Sequence, residues 1–134
     1  MPRNMSFART ADQIRARTKT VTRRTGWRDL KAGELFYAVE KARGLKKGQK
    51  IKRLALLRCV SNTRVKLSAI TYTDVRREGF PELNRSEFVA MFCRHMRCNP
   101  SQSLQRIVFE YLVDQAELLT QRRGGAERNR WPKN

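Results

Sequence analysis

The chain has 134 residues, 40% of them hydrophobic and 31% charged, and Lys and Arg outnumber Asp and Glu by 30 to 12 for a formal charge of +18. That is one domain with enough apolar residues for a packed core, and no stretch approaches the roughly 18 apolar residues a membrane span needs. Three Cys disfavour a disulfide framework, and Met1–Ala8 is too short and polar to act as a signal peptide, so a reducing cytoplasm without a membrane is the expected setting.

The charge is unevenly placed. Residues 41–66 hold ten bases and no acid, whereas 32–40 hold no base. Such self-repulsion destabilises a compact chain unless a polyanion relieves it, and nucleic acid is the default partner. The bland alternative is a solvated basic face without a ligand.

In chain order, Met5–Ala8 reads as a short edge strand. Thr10 or Asp12 caps a weakly amphipathic helix to about Arg17. Lys19–Arg24 (KTVTRR) reads as extended, with Lys19, Val21 and Arg23 on one face and Thr20, Thr22 and Arg24 on the other. Leu30–Gly33 is a turn into the strand Glu34–Val39. Gly44 and Gly48 bracket a loop, GLKKG, with lysines at its tip. Ile51–Val60 reads as a central strand and Arg64–Ile70 as its neighbour. Thr71 starts a short helix with Asp74 placed to complete a capping box, and Gly79 ends it. Asn84 with Glu87 caps a longer helix to about Met96, with Phe88, Met91, Phe92 and Met96 on one face. Leu104–Leu112 is the last β-rich segment, and 113–121 a short helix. The spacing predicts a domain over 1–113 and a basic, partly disordered tail over 114–134. Strands joined by turns rather than long helices favour an α+β mixed sheet or small barrel over a doubly wound sheet.

Four blocks resemble the ASCH domain, a family of PUA-like β-barrels. They are Thr18–Arg24 followed by Trp27, the turn Leu30–Gly33, the segment from Ile70-Thr71 through Asp74-Val75 to Glu78-Gly79-Phe80, and Phe88–Cys93 with Arg106–Leu112. Thr18 stands where the family carries Gly, and Lys66 where it often carries an acid. The resemblance implies a PUA-like small mixed β-barrel with short packed helices, whose cleft faces RNA or nucleotides. Some members are amidohydrolases of acylated cytidine, and others act as ribonucleases. Position by position, the amidohydrolase Lys, Thr and Glu fall on Lys19, Thr22 and Glu78.

The residues themselves allow that chemistry. A Thr hydroxyl attacks once a base takes its proton, a Lys whose pKa is lowered by burial or nearby cations can be that base, and a Glu can orient it or pass a proton on. The alternative is that Lys19 and Thr22 contact phosphate while Glu78 balances charge. For nucleic acid, with RNA favoured, the candidate contacts are Arg17, Arg23, Arg24, Arg43, Lys46, Lys47 and Lys50. Trp27, between Arg24 and Arg28, is either a base-stacking platform or a core side chain closing the barrel. Phe36, Tyr37, Tyr72 and Phe80 also lie near bases. A modified nucleoside is the candidate small ligand. Cys93, His95 and Cys98 match no zinc spacing, so neither metal nor cofactor is expected. Cys93 and Met96 are expected in the core and His95 on the surface. Nothing in the chain specifies an oligomeric state.

Overall fold

The computed structural model describes residues 2–41, 47–48 and 50–112. Arg43, Lys46 and the helix and tail expected beyond residue 112 lie outside the described residues. The elements are β1 (Arg3–Ser6), α1 (Ala11–Arg15), β2 (Val21–Arg24), β3 (Leu35–Val39), β4 (Arg53–Lys66), a 3-10 turn (Leu67–Ala69), α2 (Tyr72–Arg77), α3 (Arg85–Met96) and β5 (Ser103–Leu112). The five strands form one sheet in the order β1-β3-β4-β5-β2. Only β1 and β3 run parallel, and the other pairs are antiparallel. The sheet curls into a half-barrel with the short helices packed on it. This is the mixed α+β architecture that the turn-linked strands predict.

The spine is β4, fourteen residues long, paired with β5 from Leu56↔Leu112 to Lys66↔Ser103. The sequence reads this stretch as two strands separated at Ser61–Thr63, and the structure corrects that to one bent strand. The register shifts between Cys59 and Ser61, and Val60 stands 47% exposed at the bend. A bulge absorbs the extra residue and bends the strand without ending it. Asn62, between the two expected strands, lies within the one strand. Its amide donates to the carbonyls of Trp27 and Leu30, each at 2.8 Å, and its Oδ1 accepts from Gln105 Nε2.

Two apolar clusters hold the half-barrel. Met5, Phe7, Ile14, Phe36, Leu57, Ile107 and Phe109 form one, with Phe7 and Phe36 meeting the Phe109 ring edge-on at 6.0 and 6.1 Å. Leu67, Ile70, Val75, Phe88 and Leu104 form the other, where α2 and α3 meet the sheet.

The helix ends follow local chemistry. Asn84 and Glu87 make the full capping box that starts α3. Thr71 Oγ1 accepts from Asp74 N at 3.1 Å and starts α2, but the Asp74 carboxylate is turned elsewhere. After α2, Gly79 takes φ +104, and a Cβ there would sit 2.8 Å from Gln13 Cγ, so both backbone and packing select glycine. Met96, expected in the core, is 44% exposed, and Cys93 is half-buried at the edge of the second cluster. His95 is at the surface as expected. No helix among the described residues is long and apolar enough to cross a membrane.

Candidate functional site

Strand β2 lies at one edge of the sheet and pairs only with β5. The residues just before it are clamped on both sides. Thr20 N donates to Arg77 O at 2.8 Å, and Phe109 N donates to Thr20 O at 3.0 Å. This clamp brings Lys19 to the C-terminal end of α2, where free carbonyls attract a cation. Lys19 Nζ donates to Glu78 O at 2.8 Å and to Glu78 Oε1 at 2.9 Å.

Asp74 and Glu78 are four residues apart, so α2 presents both carboxylates on one face. Arg23 of β2 bridges them, donating from one terminal nitrogen to Glu78 Oε2 at 3.1 Å and from the other to Asp74 Oδ2 at 2.8 Å. Its cross-strand neighbour is Arg106 of β5. Two arginines directly opposed on a sheet repel. Asp74 relieves this by accepting from Arg106 Nε at 2.6 Å and from its terminal nitrogen at 2.9 Å as well. Lys19, Arg23, Asp74 and Glu78 are each no more than 5% exposed. Hydrogen bonds from Arg106, and then from Arg23, hold the Asp74 carboxyl down at about 2 against the opposing effect of burial. Burial lowers the Lys19 pKa from its ordinary value, and Glu78 only partly offsets it. Buried Arg23 Nε is left without an acceptor among the described residues.

Arg24 points to the other side of the strand. It donates to Ser6 O at 2.6 Å and to Thr22 Oγ1 at 3.3 Å, and its guanidinium lies 4.6 Å from the centre of the Phe7 ring. It therefore ties the β2 edge to the end of β1, the two ends of the half-barrel. Desolvation pulls its pKa down to about 10, with the nearby Glu78 carboxylate partly offsetting this, although no direct ion pair joins the two among the described residues.

A cavity of about 250 Å³ opens over these groups. Lys19, Thr22, Arg23, Arg24 and Glu78 contribute its polar lining. Phe80, Phe88, Met91 and Phe92 form an apolar wall, Ser6–Thr10 lie opposite, and His95 and Met96 complete the lining. Of the ionisable side chains there, Arg9, Lys19, Arg23, Arg24 and His95 are basic, and Glu78 alone is acidic. An apolar wall facing a cationic floor can hold a planar ring carrying or flanked by an anion.

The three residues carried by the resemblance, Lys19, Thr22 and Glu78, thus line one cavity although 59 positions separate the ends of the set. Arg23 and Arg24 line it too, but the Arg23 head is taken up by two carboxylates. Arg17 is exposed and sits over the Tyr111 ring at 5.5 Å. Lys47 and Lys50 are exposed and absent from this lining. Trp27 is half-buried on the first core cluster. Its ring packs on Phe36 at 6.3 Å, and Arg3 lies over it at 4.6 Å, which is the core reading of this residue. Phe36 is fully buried, whereas Tyr72 is 48% exposed and Phe80 lines the cavity. The sequence reading missed Asp74 and Arg106 as parts of the network and Arg9 and His95 as lining. The stripe of Phe88, Met91, Phe92 and Met96 was the available signal for the wall. The described residues hold no group of three or more His, Cys, Asp or Glu placed to bind a metal.

No family model matches the sequence, and no curated protein matches it. Similar solved structures include the following two. Protein EF3133 from Enterococcus faecalis V583, of family model DUF984, shares 18% identity over 84% of this chain and 77% of its own, with a TM-score of 0.59. An ASCH domain from Lactobacillus crispatus JV V101 shares 13% identity over 81% of this chain and 78% of its own, with a TM-score of 0.52. The likeness establishes the fold: a small α+β domain whose curled sheet resembles that of a solved ASCH domain.

Proposed function

We propose that the protein binds single-stranded nucleic acid, RNA in preference, seating one nucleotide in the cavity beside β2 while exposed bases grip the flanking phosphates. The observation that carries this reading is the charge of the lining, where Arg9, Lys19, Arg23 and Arg24 face the single carboxylate of Glu78 and half-buried Arg24 has only neutral oxygens and a ring as direct partners. Cationic charge in excess of one carboxylate, gathered in one cleft, attracts an anionic ligand. The wall supplies Phe80 and Phe92, both half-buried, as stacking surface, and a cavity of about 250 Å³ suits one unstacked base rather than a duplex. The preference for RNA rests on the resemblance.

The test is a fluorescence-polarisation titration of labelled single-stranded RNA over a range of salt. The expected result is affinity that falls linearly in log K against log salt and competition by a nucleoside monophosphate. Undetectable binding at low salt would end this reading.

A second reading is favoured by the buried Lys19–Glu78 pair lying in one cavity with Thr22. With its pKa lowered, Lys19 can take the Thr22 proton as the Thr22 oxygen attacks the acyl carbon of an N4-acylated cytidine; the C–N4 bond breaks, cytidine leaves with the proton that Lys19 returns, and water then hydrolyses the acyl-threonine to the free acid. Release of free acid from N4-acetylcytidine, lost in Lys19→Ala and Glu78→Gln, is the outcome this reading requires. Turnover unchanged by either substitution removes it.

A further inference from the structure

Outside the cavity, the C-terminal end of α3 brings two thiols together. Cys98 Sγ lies 3.9 Å from Cys93 Sγ, and both side chains are half-buried. Their backbones are already fixed. Arg97 takes φ 52 at the helix C-cap, and Cys98 N donates to Cys93 O at 3.2 Å. Joining two sulfurs at a bond length of about 2.0 Å then asks for side-chain rotation rather than movement of the helix. Cys93 also lines an open groove of about 460 Å³ between α3 and the Ser68–Ile70 segment, so a small oxidant can reach it. The third thiol, Cys59, is 1% exposed in the core.

We propose that Cys93 and Cys98 are an oxidation site that closes to an intramolecular disulfide when the protein meets hydrogen peroxide. In the first step the Cys93 sulfur attacks the peroxide oxygen, an S–O bond forms, the O–O bond breaks, and water leaves, giving a sulfenic acid. In the second step the Cys98 sulfur attacks the Cys93 sulfur, and the hydroxyl leaves with the Cys98 proton as a second water. Two thiols lose two electrons, and one peroxide becomes two waters. Burial and the neighbouring Cys93 hold the Cys98 thiol above its ordinary pKa, which suits it to the resolving rather than the attacking role. The cross-link fastens the last turn of α3, which carries His95 and Met96 of the cavity lining.

The test treats the reduced full chain with hydrogen peroxide, alkylates it under denaturing conditions, and reads intact mass and peptide map. The expected result is one alkyl group in place of the three of the reduced control, with about 2 Da lost from the chain itself, a Cys93–Cys98 linked peptide and reversal by a phosphine reductant. Cys59 should remain as the alkylated thiol. Cys98→Ser should instead accumulate a sulfenic acid on Cys93, trapped by dimedone. Three alkylatable thiols after peroxide, under conditions where Cys98→Ser gives the dimedone adduct, would overturn the proposal. So would a linkage through Cys59 or between two chains.

Discussion

The two charged regions of this protein differ in burial rather than in residue type. Around β2, Lys19, Arg23 and Arg106 are held against Asp74 and Glu78, with Lys19, Arg23 and both acids withdrawn from solvent. On the outer face, Arg58 pairs with Glu110 at 2.6 Å, yet both side chains are close to half exposed, at 44% and 48%. Water and salt screen the second kind of pair, and such pairs contribute little. In the first kind, each charge depends on its partner, because removing one leaves the other stranded. Length of contact alone would rank the two alike. Burial separates them, and it gives the inner network the larger share in holding the fold.

The largest expected effect breaks the inner network. Asp74→Ala leaves Arg106 without its carboxylate and Arg23 with Glu78 alone, and urea unfolding should show a loss of about 3 kcal/mol. A loss below about 1 kcal/mol would place this network with the surface pairs. Acid should act on the same carboxylate more gently. Its folded pKa of about 2 lies below the ordinary 3.8, so its contribution is complete above pH 4 and disappears as pH falls through about 2. Roughly 2 kcal/mol should be lost in that window, and Asp74→Asn should flatten this part of the stability profile. Gly79→Ala comes next. The residue keeps φ +104 and its new Cβ meets Gln13, so about 1–2 kcal/mol should be lost. Gln13→Ala in the same chain should recover the packing part and leave the backbone part. The smallest effect falls on the outer face. Arg58→Ala should change stability by no more than about 0.5 kcal/mol. If Arg58 contacts phosphate, the same substitution should lower the salt slope of RNA binding by about one.

What was legible in the chain was local. The Asn84–Glu87 box and the Gly79 stop lie within a few residues of the helices they delimit, and both formed. The alternation in KTVTRR also survived: Lys19 and Arg23 share Glu78, while Arg24 bonds Thr22. Asp74 shows where local reading ends. Its capping position was visible, but its carboxylate belongs to Arg23 and Arg106, 51 and 32 positions away, which no helix signal encodes. The bulge at Val60 was hidden for a related reason. Ser61–Thr63 look like turn residues until the carbonyls of Trp27 and Leu30 give Asn62 partners inside the sheet. That Lys19, Thr22 and Glu78 share a cavity came from the resemblance, since spacing alone put Lys19 and Thr22 on opposite faces. Trp27 beside two arginines looked equally suited to bases or to the core, and only the packing of Phe36 and Arg3 on its ring decides.

If the cavity, rather than the basic surface alone, recognises a nucleotide, a change in its lining alters affinity without altering the salt dependence. Met96, exposed and part of the lining, can be replaced without opening a core. The decisive measurement is the affinity of single-stranded RNA for the native chain and for Met96→Trp, followed across salt. The account predicts parallel lines of log K against log salt, displaced by about tenfold or more in Kd at every concentration. Coincident lines would contradict it and leave binding to the surface charge alone.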